Sequence, residues 1–135
     1  MKTFFAGGFL YNPKTKEVLL HKRDGNTKVN PNKWAFFGGM NESDEKPVET
    51  FIREIKEELG VVLQASEVIP LCDYLNTDRG MHRYSFYVMS DTRKEDMVLG
   101  EGADFDWVSL DNVFELDATQ KTFDDLNTFL NLKKV

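Results

Sequence analysis

Apolar residues change period several times along the chain, and each change marks a predicted element. Residues 3–11 read as a strand interrupted by Gly7-Gly8, a pair that suits a bulge or a close backbone approach. Residues 12–15 (Asn-Pro-Lys-Thr) make a turn, and residues 17–22 return as the second strand of a hairpin. A polar loop over 24–33 leads to a short apolar run, 34–37, that ends in Gly38-Gly39. After an acidic loop over 41–46 the period becomes helical. Val48, Phe51, Ile52, Ile55 and Leu59 line one face of a helix predicted over 47–59. Pro47 suits its first turn and Gly60 its C-terminal stop. Extended segments follow at 61–63 and 68–76, then a hairpin turn at 77–80 and a strongly β-prone stretch at 81–90. A charged loop over 91–102 precedes a last strand at 103–110. Phe123, Leu126, Phe129 and Leu130 give a second amphipathic helix over 119–132.

Mixed strands with two helices, and no internal repeat or linker, predict a single layered domain of the α/β or α+β class spanning 1–135. Composition agrees. The 135 residues are 41% apolar and include 11 Phe, enough bulk for a core. The formal net charge of −6 argues against a general nucleic-acid binder, whose partner selects basic surfaces. The lone Cys72 excludes an internal disulfide and fits a reducing compartment. No stretch approaches the roughly 20 apolar residues that cross a bilayer, and the first residues lack a signal-peptide layout, so a cytoplasmic location is expected.

The helix over 47–59 carries the chemistry. Glu54, Glu57 and Glu58 stand at i, i+3 and i+4, neighbours on a helix surface. Such a run also describes an ordinary solvated face. Crowded carboxylates are equally what a divalent cation with oxygen ligands needs, which points to a metal site that handles phosphates. Seven positions, Gly39, Glu45, Arg53, Glu54, Glu57, Glu58 and Gly60, fall in the spacing G-x5-E-x7-R-E-I-x-E-E-x-G-V. This stretch resembles the signature of the Nudix (MutT-type) hydrolase family. The chain departs from the common form of that signature by Phe37-Gly38-Gly39 in place of Pro-Gly-Gly, and by Asp44-Glu45-Lys46-Pro47 in place of Gly-Glu-Thr-Pro. Neither change removes a ligand.

The resemblance implies an α/β/α sandwich with a mixed, curved sheet, and Mg2+-dependent hydrolysis of a phosphoanhydride, with Mn2+ as the alternative cation. It implies that Glu54, Glu57 and Glu58 hold the metal together with the Gly39 carbonyl, that Gly38 supports the turn, and that Glu45 ties Arg53, which orients a catalytic glutamate. Glu101 resembles the acid that relatives recruit from a loop outside the signature; it joins the expected metal ligands and competes with Glu54 as general base. Arg23 and Arg83 are the expected phosphate or substrate contacts. Phe37 and Tyr84, with Phe4 and Phe36, are aromatics able to stack on a base. The implied partner is a small nucleotide-type substrate, a nucleoside triphosphate or modified (oxidised) nucleotide, with no nucleic acid and no membrane; a homodimer stays open. The alternatives are a sugar-nucleotide hydrolase and a nucleotide sensor that does not hydrolyse.

Overall fold

The computed structural model describes residues 2–26, 31–100, 102 and 104–133. Its elements are β1 (Phe4–Asn12), β2 (Glu17–Lys22), β3 (Trp34–Ala35), β4 (Phe37–Met40), α1 (Pro47–Leu59), β5 (Ile69–Asn76), β6 (Met81–Met89), β7 (Asp104–Ser109) and α2 (Gln120–Lys133). Short 3-10 turns lie at Ala65–Glu67, Lys94–Asp96 and Val113–Glu115.

The strands form one mixed sheet around β1. Parallel β6 runs along β1 without a break from Phe4–His82 to Tyr11–Met89. The Gly7-Gly8 pair is therefore a close approach and not a bulge: a Cβ at Gly8 would run into the Phe86 carbonyl of β6. The other edge of β1 is shared. Its first half pairs with β4 and its second half with β2, both antiparallel. On β2, antiparallel β7 takes the far edge, and β3 pairs only at His21 and Lys22. The run at 34–40 is thus one extended segment bent at Phe36. It leaves β2, crosses to β1 and fills the gap where those strands diverge, which curves the sheet. β5 closes the opposite edge against β6.

Alternation along the strands sends side chains to two layers. Ala6, Leu10, Leu19, Phe37, Phe86 and Val88 pack with Phe51, Ile55 and Leu59 of α1. Phe9, Tyr11, Val18, Leu20, Phe36 and Tyr87 pack with Leu126 and Phe129 of α2. The sandwich of two helices about a curved mixed sheet is the expected fold. Phe51, Ile55 and Leu59 are essentially inaccessible, at 0%, 0% and 1% exposure. At roughly 1.5–3 kcal/mol per buried side chain, they fix how α1 rolls on the sheet and so where its glutamates point. On α2, Thr122 and Asp125 are buried beside Leu126 and Phe129, whereas Phe123 turns outward to stack on Phe114 at 5.5 Å. Among the described residues no helix is long and apolar enough to cross a membrane.

Candidate active site

Helix α1 presents Glu54 and Glu58, but not Glu57, to a cleft of about 850 Å³ at the ends of β1, β4, β5 and β6. The sequence pattern sets Glu54, Glu57 and Glu58 away from the apolar stripe, but Glu58 is buried, at 4% exposure. Its position borders Ile55 and Leu59 on the helix surface. Its charge is met by the Gly38 amide, which donates to Glu58 Oε2 at 3.1 Å. Glu54 is also largely covered, while the Glu57 side chain is half exposed.

Arg53 is the hub of the site. Its Nε donates to Glu45 Oε2 at 2.6 Å and its Nη2 to Glu45 Oε1 at 3.0 Å. Its Nη1 donates to Glu54 Oε1 at 3.0 Å and to Glu57 Oε2 at 2.9 Å. Its Nη2 also reaches the Met40 carbonyl at 3.0 Å. Glu45 in turn accepts from the Thr50 hydroxyl and the Glu42 amide. The Arg53 hydrogen bond is the main reason that the Glu45 carboxyl is lowered to about 2. A two-pronged, largely covered pair of this kind locks a geometry that a monodentate surface pair does not.

Gly39 lies against Glu54. A Cβ there would overlap the Glu54 carboxylate, so only glycine lets β4 pass so close to that oxygen. The donors gathered here are carboxylate and carbonyl oxygens, the chemistry that Mg2+ or Mn2+ takes. Among the described residues no three carboxylate, thiol or imidazole groups converge on one point, and Glu57 leans on Arg53 instead. Glu101 lies outside the described residues; beside it, the Gly100 amide bonds the Glu58 carbonyl at 2.8 Å, and Gly102 lines the cleft.

Arg23 and Arg83 also line the cleft, Arg83 from the face of β6 that α2 covers. The cleft does not use Phe37 or Tyr84. Phe37 has no exposed surface and packs beneath α1. Tyr84 faces the same layer and meets Phe4 edge-on at 5.3 Å. The reason is strand parity: on β4 and β6 these residues point to the α1 side. The aromatic wall of the cleft comes from Phe5 and Phe36, which point the other way. Sequence reading considered Phe36 but not Phe5.

Two further polar groups were not anticipated. His21 is buried, and its Nε2 donates to the Phe36 carbonyl at 3.0 Å, which leaves Nδ1 as an acceptor without a partner among the described residues. Burial lowers its pKa to about 4, so the ring stays neutral. Asp125 on α2 is 1% exposed and bonds Arg83, Ser85 and Tyr74. An ionisable residue on the apolar stripe of α2, between Thr122 and Phe129, was the available signal for it.

Comparison with known proteins fits this geometry. The family model described as NUDIX domain matches residues 1–127. A protein named nucleoside triphosphatase NudI from Escherichia coli is 33% identical over 117 residues, covering 77% of this chain and 83% of its own. Dihydroneopterin triphosphate diphosphatase from Haemophilus influenzae is 27% identical, covering 93% of this chain and 86% of its own. Among solved structures, a MutT protein from Methanosarcina mazei superposes with a TM-score of 0.73 at 23% identity, covering 99% of this chain and 96% of that one.

Proposed function

The chain belongs to the Nudix hydrolase family, and from that premise we propose that it hydrolyses a phosphoanhydride bond of a nucleoside triphosphate or modified nucleotide with the help of Mg2+ or Mn2+. The observation that carries the reading is the Arg53 hub, which joins Glu45, Glu54 and Glu57 in one hydrogen-bonded set beside Gly39. The names of the Escherichia coli and Haemophilus influenzae relatives support a triphosphate substrate.

Glu54, Glu57, Glu58 and the Gly39 carbonyl would hold the cation, with Glu101 as a further ligand. Bound there, a divalent cation offsets charge on the phosphate oxygens and makes water more acidic. Glu45 holds the Arg53 guanidinium in one plane, and Arg53 holds Glu54 in the cleft. Glu54 would take a proton from the attacking water, and Glu101 is the alternative base. Arg23 lines the same cleft and supplies positive charge to the phosphates. The oxygen of water bonds to phosphorus, the anhydride P–O bond breaks, and the departing phosphate keeps the electron pair.

The test is release of phosphate or pyrophosphate from a panel of canonical and oxidised nucleotides, with and without Mg2+, products being identified by mass. Wild type should turn over only with the cation. Glu57→Gln should lose orders of magnitude in turnover with an unchanged circular dichroism spectrum. Near-normal turnover by a folded Glu57→Gln protein would sink the ligand assignment. Tight nucleotide binding without release from any substrate would make the protein a sensor instead.

A further inference from the structure

Arg83 is only 8% exposed, yet it lines the cleft. Its Nε donates to Asp125 Oδ2 at 2.8 Å. The same oxygen accepts from Ser85 Oγ at 2.6 Å, and Oδ1 accepts from Tyr74 OH at 2.7 Å and, more weakly, from Cys72 Sγ at 3.7 Å. Donors from β5 and β6 thus grip one carboxylate of α2, and that carboxylate grips Arg83 by a single nitrogen. The guanidinium carbon lies 4.8 Å from the ring centre of Phe5 and 5.6 Å from that of Phe36, which fixes its plane. The terminal nitrogens Nη1 and Nη2 have no acceptor among the described residues. These nitrogens are not sealed from the cleft, so an acceptor on a ligand can take the place of water there.

Asn76 adds to the same wall. It is 8% exposed, stands on β5 diagonal to Arg83, and spends its Oδ1 on the Asp78 amide at 3.1 Å. Its side-chain nitrogen has no acceptor among the described residues. This end of the cleft therefore offers donors. It also lies at a useful remove from the glutamates. Phe5 of β1 is in register with Met40 on one edge and Arg83 on the other. At about 4.8 Å per strand, Arg83 stands roughly 10 Å across the sheet from Met40, which follows Gly39.

We infer that Arg83, held by Asp125, reads the group beyond the phosphates by its acceptors and selects a base with a carbonyl oxygen over one with an amino group at that place. The N–H groups of a guanidinium match a carbonyl oxygen, with N7 beside O6 as a second acceptor in an oxopurine and O4 accepting alone in uracil, whereas an amino group sets donor against donor. This rests on the nucleotide-hydrolysis reading above. If Asp125 and Arg83 were only a bracket between α2 and the sheet, loosening them would affect all nucleotides alike.

The test compares kcat/KM for ITP against ATP and for UTP against CTP, pairs that exchange oxo for amino. For the base size that the cleft takes, wild type should favour the oxo member about tenfold or more. Arg83→Lys keeps a charge for Asp125 but loses the planar fork, so the ratio should fall towards one. Tyr74→Phe, which only loosens the grip on Asp125, should lower it part of the way. Equal kcat/KM for both members of both pairs in wild type, or a ratio unchanged in folded Arg83→Lys, overturns the inference. Calorimetric binding of IMP, AMP, UMP and CMP to wild type decides the matter without a variant: the oxo member of one pair should bind about tenfold tighter, and equal affinities in both pairs overturn the inference. If no nucleotide is hydrolysed, the hydrolase reading fails, and the binding comparison still judges the inference alone.

Discussion

Replacing Glu45 by glutamine removes one negative charge from beside Arg53 and little volume. The carboxylate takes the Arg53 Nε at 2.6 Å and Nη2 at 3.0 Å, and these bonds are the main reason that its pKa falls from an ordinary 4.5 to about 2. At roughly 1.4 kcal/mol per tenfold, that displacement sets a ceiling of about 3 kcal/mol on the charge's contribution to stability. The two side chains are 20% and 19% exposed, and solvent screening brings the figure down to about 1–2 kcal/mol. With an unfolding entropy of roughly 2.1 cal/mol/K per residue, the variant should melt about 4–7 °C lower than wild type at pH 7. Because the folded pKa is depressed, the contribution is complete above pH 4.5 and fades as pH falls towards 2. The gap between the two melting curves, followed by circular dichroism, should shrink to under half its size by about pH 3. Equal melting temperatures at pH 7, or a full-sized gap at pH 3, would refute the reasoning.

Gly39→Ala places a methyl group on the Glu54 carboxylate and should cut turnover about a hundredfold, the order expected for an ångström-scale displacement of a reacting group; activity and circular dichroism measured together check this, since the spectrum should not change. Asp125→Ala strips an acceptor from Arg83, Ser85 and Tyr74, and urea denaturation should show a loss of about 3–5 kcal/mol. The Cys72 thiol is pushed up to about 12, first by burial and then by Asp125. Its reaction with a chromogenic disulfide at pH 8 should therefore be roughly a thousandfold slower in the folded protein than in urea.

The elements most legible in the sequence are those with local punctuation. Helix α1 begins at Pro47 and ends before Gly60, and both bounds read directly from the chain. The bent segment at 34–40 was not legible as two strands, because its division is imposed by pairing with different neighbours. The spacing from Gly39 to Gly60 names the residues of the site but not their burial. Glu58 reads as solvated until the Gly38 amide is seen beneath it. Choosing between Phe36 and Phe37 for the cleft depends on which way each faces, and one residue of register reverses the answer. Asp125 escaped because a search for apolar periodicity passes over the one charged member of a buried stripe.

The sheet separates two sets of contacts that share little. The glutamates and Arg53 stand on α1, over the layer that holds Phe51 and Ile55; Arg83 and Asp125 join β6 to α2 on the opposite face. Substitutions on the two sides have few common neighbours, and their free energies should add. A lineage can then alter what β6 and α2 recognise while the bond-breaking set on α1 stays unchanged, and an engineer can vary the two faces as independent libraries.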